Sequence, residues 1–152
     1  MKIKRVIGIV IFLLAPGFSE ASEKLSVYEQ MGSLMWASFS CAALAKEAKE
    51  GLEHDRLFEY GYMQGKKFLL AYVSQEVSYR ELATSRIPVG IVLSLEGPSI
   101  DFVLGRIYEM RIQGATSQVQ FSEGKITDVK DQPEIAKRLY REQNCSVIGV
   151  NN

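Results

Sequence analysis

Between Leu25 and Lys49 apolar residues recur at Leu25, Tyr28, Met31, Met35, Phe39, Ala42 and Ala43, close to the spacing of one helical face and far from the alternation of a strand. A helix carrying such a stripe must bury it against other elements. Gly51 is expected to end this helix, and Asp55 to cap a second one reaching about Ser74. The face of that second helix shows Leu57, Tyr60, Gly61, Gly65, Phe68, Leu69 and Tyr72. Ser78-Tyr79-Arg80-Glu81 has capping-box form and opens a short helical turn. Pro88 suits the first turn of a short apolar helix up to Leu95, closed by Gly97-Pro98, although a run this short also fits a buried strand. Ser99 is a plausible N-cap, with Asp101 in the first turn where the helix dipole favours a carboxylate. Ile100, Val103, Leu104, Ile107, Tyr108 and Met110 then form a stripe, and this helix is expected to end near Gln113 or a turn beyond Gly114. Phe121 to Lys130 has loop character, with a short extended piece at Lys125 to Val129. Asp131-Gln132-Pro133-Glu134 opens a last helix, with an Asp cap and an early proline, carrying Ile135, Leu139 and Tyr140 up to Cys145. The expected fold is all-α: one bundle of about four to six helices, with minor strand content.

The N-terminus has the form of a secretory signal peptide. Lys2, Lys4 and Arg5 make a basic region, Val6 to Ala15 an apolar one, and Ser19-Glu20-Ala21 a small-residue cleavage site. The apolar run is shorter than the roughly 17–25 residues a spanning helix needs, so no stable membrane anchor is expected after cleavage. Residues 1–21 are therefore expected to be a cleaved leader and 22–152 one helical domain, periplasmic or secreted.

Loss of the leader removes three of 18 basic and one of 18 acidic residues, leaving 15 against 17. A slightly acidic domain with scattered Lys and Arg lacks the positive footprint of a nucleic-acid binder. The two cysteines, Cys41 and Cys145, are far apart and form no CxxC motif. In an exported chain they are expected to make one structural disulfide rather than a redox or zinc site.

Catalytic chemistry finds little to work with. His54 is the single histidine and lies in Gly51-Leu52-Glu53-His54-Asp55, expected to be a solvated loop beside a helix cap. Gly-x-Ser-x-Gly is absent, and no EF-hand pattern or metal ligand set is present, so no cofactor is expected. The segment that most invites a functional reading is Gly97 to Glu109. There Ser99, Asp101, Arg106 and Glu109 are candidate binding residues, with Arg106 engaging an acidic group on a partner and Ser99 with the helix start forming an anion site. The alternative is that Ser99 and Asp101 cap the helix while Arg106 and Glu109 pair on its surface. Gly61, Gly65 and Gly105 are expected to be helix-packing notches, receiving bulky neighbours such as Phe102 or Tyr108; a ligand groove is the sharper alternative.

A small exported helical domain with one long-range disulfide is similar in architecture to periplasmic immunity proteins of contact-dependent toxin systems and to small acid-stress chaperones. That resemblance implies a non-enzymatic protein that binds another envelope or periplasmic protein, with a stress chaperone as the alternative. A cell-wall hydrolase would need converging carboxylates that no spacing in the chain points to.

Overall fold

The computed structural model describes residues 17–150, with side chains from residue 23 onward. Six helices are present among the described residues: α1 (Gly17–Glu47), α2 (Gly51–Val73), α3 (Tyr79–Ala83), α4 (Val89–Val92), α5 (Ile100–Gln120) and α6 (Gln132–Glu142). A two-residue strand β1 (Phe121–Ser122) pairs antiparallel with β2 (Lys125–Ile126), and a 3₁₀ turn, Cys145–Val147, follows α6. The all-α expectation holds. The basic and apolar parts of the expected leader lie outside the described residues, and α1 runs through the expected cleavage point between Ala21 and Ser22.

Helix α1 is the axis of the bundle. From Ser38 to Ala45 every residue is buried, so no solvent face remains over that stretch. Serine and alanine make up five of those eight positions, and small side chains let α2, α5 and α6 all pack on this stretch. The main core joins Met35 and Phe39 of α1 to Phe68 and Leu69 of α2 and to Val103, Leu104 and Ile107 of α5. A second cluster sets Leu44 and Ala48 against Ala115, Val119 and Ala136.

Two glycines decide how closely α2 lies on α1. A Cβ on Gly61 would stand 2.9 Å from Phe39 Cδ1 and from Ser38 Cβ, and one on Gly65 would overlap Met35 Sδ and Leu104 Cδ2. The bulky side chains beside these two glycines are Phe39, Met35 and Leu104 rather than Phe102 or Tyr108. Gly105 departs from the expectation: nothing lies within 4 Å of the position of its Cβ, so it receives no neighbour.

Helix ends account for the other differences. Gly51 does not end α1; it starts α2. The stop is Lys49, in the left-handed region at φ 63°, with Glu50 N–H bonded to Ala45 O and Lys49 N–H to Lys46 O. These two bonds form a Schellman motif with lysine at the position glycine usually occupies. Helix α2 therefore begins four residues before Asp55, and His54 sits in its first turn rather than in a loop. Gln75 (φ 59°) ends α2 by the same pair of bonds, from Glu76 to Ala71 and from Gln75 to Tyr72.

Ser78 and Glu81 complete the expected capping box, and the short apolar run after Pro88 is helix, not strand. Helix α5 outruns its expected end to reach Gln120, because Ala115 and Val119 continue the buried face past Gly114. The extended piece is shorter than expected. Asp131 precedes α6 in a helical conformation with no side-chain cap bond, so α6 starts on Pro133 geometry alone.

The chain leaves α6 through Asn144 (φ 54°) and brings Cys145 to Cys41, with Cα atoms 5.5 Å apart in a disulfide spanning 104 residues. Leu57 packs beside the two buried sulfurs. Around this point Arg56 donates to Glu53 at 2.8 Å and to Ile148 O at 2.6 Å, while Tyr140 donates to Glu53 at 2.5 Å. The Arg56 guanidinium, then the Tyr140 hydroxyl, hold the Glu53 carboxyl below its ordinary range. Burial, then Glu53, push Tyr140 up to about 12. Disulfide and polar clasp together fix the C-terminal segment to α1 and α2.

Candidate binding cleft

Helices α2 and α5 run antiparallel over α1, and His54 faces Tyr108 while Tyr62 faces Asp101. Between these bridges, and again beyond the Tyr62–Asp101 one, the two helices leave open space. At one end a cavity of about 280 Å³ lies between Leu69, Tyr72 and Val73 of α2 and the Leu95, Gly97, Pro98, Ile100 and Val103 side. Midway, a smaller cavity of about 120 Å³ separates Phe58 and Tyr62 from Asp101, Gly105 and Tyr108, with Phe39 and Leu104 at its floor. The interval from His54 to Val73 is about 28 Å at 1.5 Å per helical residue.

The walls are aromatic. Phe58 meets Tyr108 edge-on at 4.9 Å and stacks on Phe39 at 5.7 Å; Phe39 meets Tyr108 at 5.2 Å. Such contacts add to the area they bury and hold the rings in place. The bare backbone at Gly105 leaves their exposed faces uncovered. The wall is therefore rigid where it is packed and open where a side chain is missing.

Polar groups sit at the ends and edges. Asp55 Oδ1 lies 2.7 Å from His54 Nδ1, and the Tyr108 hydroxyl 2.8 Å from His54 Nε2. With Asp55 ionised, Nδ1 carries the proton and donates to it, and Nε2 accepts from Tyr108. Burial, then the charges of Glu109 and Asp55, raise the pKa of Tyr108 above that of an ordinary phenol. A phenol whose ionisation is disfavoured suits a bridge between helices better than a nucleophile. Tyr62 donates to Asp101 at 2.7 Å, and that bond raises the pKa of Tyr62.

The candidates named from sequence fall on this wall without converging. Ser99 caps α5, accepting from Phe102 N–H at 3.1 Å. Asp101 faces the cleft and holds Tyr62. Arg106 instead donates to Glu96 O at 2.8 Å and lies over the Phe102 ring, fixing the turn before α5. Glu109 accepts from Gln113 at 3.3 Å, so the expected Arg106–Glu109 pair gives way to separate partners. On the opposite wall, Phe58 and the His54–Tyr108 bridge escaped the sequence reading, whereas Tyr72 lies on the expected apolar face of α2. Gly105, a glycine inside an otherwise good helix, was the signal that pointed there.

Among the described residues no group of three or more His, Cys, Asp or Glu is placed to hold a metal ion, and no helix is long and apolar enough to cross a membrane. Known family models, curated proteins and solved structures contain no match to this chain. The cleft must be understood from its own chemistry.

Proposed function

We propose that this protein is an exported binding module whose α2–α5 cleft seats an apolar segment of another envelope protein, as a dedicated binder or inhibitor. One observation carries the reading: Gly105 leaves open a groove walled by Phe58, Tyr62 and Tyr108 on a frame locked by a disulfide. Buried aromatic side chains supply much of the energy of protein recognition, and a prearranged groove limits the ordering cost of binding. Asp55, Asp101 and Glu109 edge the cleft, so the fitting segment is an apolar helix or strand flanked by basic side chains.

The test is capture from envelope extracts by the oxidised mature protein, compared with Gly105→Trp, whose indole fills the smaller cavity. One stoichiometric partner held by the wild type and lost by a folded Gly105→Trp supports the cleft. Equal retention by both proteins overturns it, and no partner at all overturns the binding reading. Many weak partners in acid alone would favour the alternative, a stress chaperone. That reading draws on Glu53 and Glu76, whose lowered pKa values tie inter-element contacts to ionised carboxylates.

A further inference from the structure

Away from the cleft, where α4 covers the seam of α1 and α5, Arg111 is half-buried in an arrangement unlike that of the other arginines. Its Cζ lies 4.3 Å from the centre of the Trp36 ring. Its Nε donates to Ser40 Oγ at 2.7 Å, and that hydroxyl donates to Trp36 O at 2.8 Å. The plane and direction of the guanidinium are thus fixed. Nη1 and Nη2, however, have no acceptor among the described residues, and no carboxylate faces them. Burial lowers the pKa of Arg111 and no neighbouring negative charge raises it back. By contrast Arg56 has Glu53, Arg138 has Glu142, and Arg106 has a carbonyl.

The guanidinium is partly desolvated, its Nη1 and Nη2 still reach solvent, and a carboxylate brought to them would supply the missing counter-charge. The setting has been arranged for a visitor of that kind. Gly90 lets α4 press on the Trp36 ring, where a Cβ would stand 2.5 Å from Cη2. Gly114, one turn beyond Arg111, leaves bare backbone beside the fork, its Cβ position 3.6 Å from Nη1. Met110 of α5, partly exposed, also reaches the Gly90 position, its Sδ 3.0 Å from where a Cβ would stand. Arginine and tryptophan together are typical of interface hot spots.

We infer that Arg111 is a docking point for an Asp or Glu side chain of a partner protein, received in bidentate fashion by Nη1 and Nη2 beside the Trp36 ring. The fork matches a carboxylate in geometry as well as charge, which a lysine would not. This surface is independent of the cleft.

The test is an NMR titration of the oxidised mature protein, following the Arg111 Nε–H and Trp36 indole signals. The probes are acetyl-Leu-Glu-Leu-amide, its Gln counterpart, and sodium acetate. Saturable shifts with the Glu peptide, about tenfold weaker with the Gln peptide, are expected. Arg111→Lys should weaken binding by a similar factor. The comparison of Glu and Gln peptides on wild-type protein needs no variant to fold. Equal affinity for the two peptides, or no shift with either up to about 20 mM, would overturn the inference. Acetate binding as tightly as the Glu peptide would also overturn it, since the site would then be one for small anions. If Gly105→Trp abolishes partner capture but leaves this titration intact, the two surfaces are shown to act separately.

Discussion

The same substitution, glycine to alanine, should have opposite effects at Gly65 and Gly105. Both lie inside helices, where alanine is worth about 1 kcal/mol over glycine through backbone entropy alone. At Gly105 nothing opposes that gain, because no atom lies within 4 Å of the new methyl and the position is exposed. The unfolding entropy of a domain of about 130 residues is roughly 0.27 kcal/mol per degree, so 1 kcal/mol raises Tm by about 4 °C. At Gly65 the methyl would overlap Met35 Sδ and Leu104 Cδ2, two side chains that are themselves fully buried. Overpacking of a dense core costs about 1–3 kcal/mol, and after the helical gain is subtracted the net loss reaches up to about 2 kcal/mol. Gly65→Ala should then melt lower, by up to about 7 °C.

The assay is thermal and urea unfolding of the oxidised protein followed by far-UV circular dichroism, with the m-value checked for constancy. Equal stabilisation by both substitutions would refute the close approach of α2 to α1. Destabilisation by Gly105→Ala would refute the open cleft.

Four further outcomes follow from the same contacts. Removing the 104-residue closure by Cys41→Ala with Cys145→Ala should lower stability by about 4–5 kcal/mol in urea unfolding, and a loss under about 1 kcal/mol would mean the clasp alone holds the C-terminal segment. The Glu53 carboxyl is held below its ordinary value of 4.5, so its contribution is complete above that pH and disappears as pH falls through the folded value; Tm should drop from about pH 5 downward, less steeply in Glu53→Gln. Tyr140 has the opposite sign: raised to about 12, it stabilises fully below pH 10 and loses that effect between 10 and 12, which an alkaline absorbance titration of wild type against Tyr140→Phe will show. Lys49→Gly and Gln75→Gly should each stabilise by about 0.5–1 kcal/mol, since each relieves a left-handed non-glycine residue, and unchanged melting would argue against the Schellman geometry.

Those last two residues also show where sequence patterns stop being informative. The stripes of α1, α2 and α5 were legible because burial on one face imposes helical spacing, and the Ser78 and Ser99 caps because a hydroxyl before an apolar run has a local purpose. The end of α1 was not legible. The left-handed turn falls on Lys49, whose side chain carries no sign of it, while Gly51, the residue that advertises a stop, lies past the turn with nothing near it. That two-residue displacement moved His54 from loop to helix and hid its bridge to Tyr108. Cleft walls are harder still: Tyr62 and Asp101 are 39 residues apart, and no local pattern relates them.

The three glycines serve two different ends. Gly61 and Gly65 draw α2 onto α1 so closely that Phe39 and Met35 fill the space a side chain would occupy. Helix α5 meets α2 directly where Leu104 packs on Gly65, and beside that contact through the long arms of Tyr62 and Tyr108, each ending in a hydrogen bond across the gap. Between those two bridges the helices leave a gap, and Gly105 keeps it empty. A glycine that lowers helix stability by about 1 kcal/mol with no packing return is accounted for if the empty space has a use. Gly105→Ala tests the structural half of that statement and Gly105→Trp the functional half. A protein that gains stability from the first and keeps its partner with the second would have an open cleft without a role in binding.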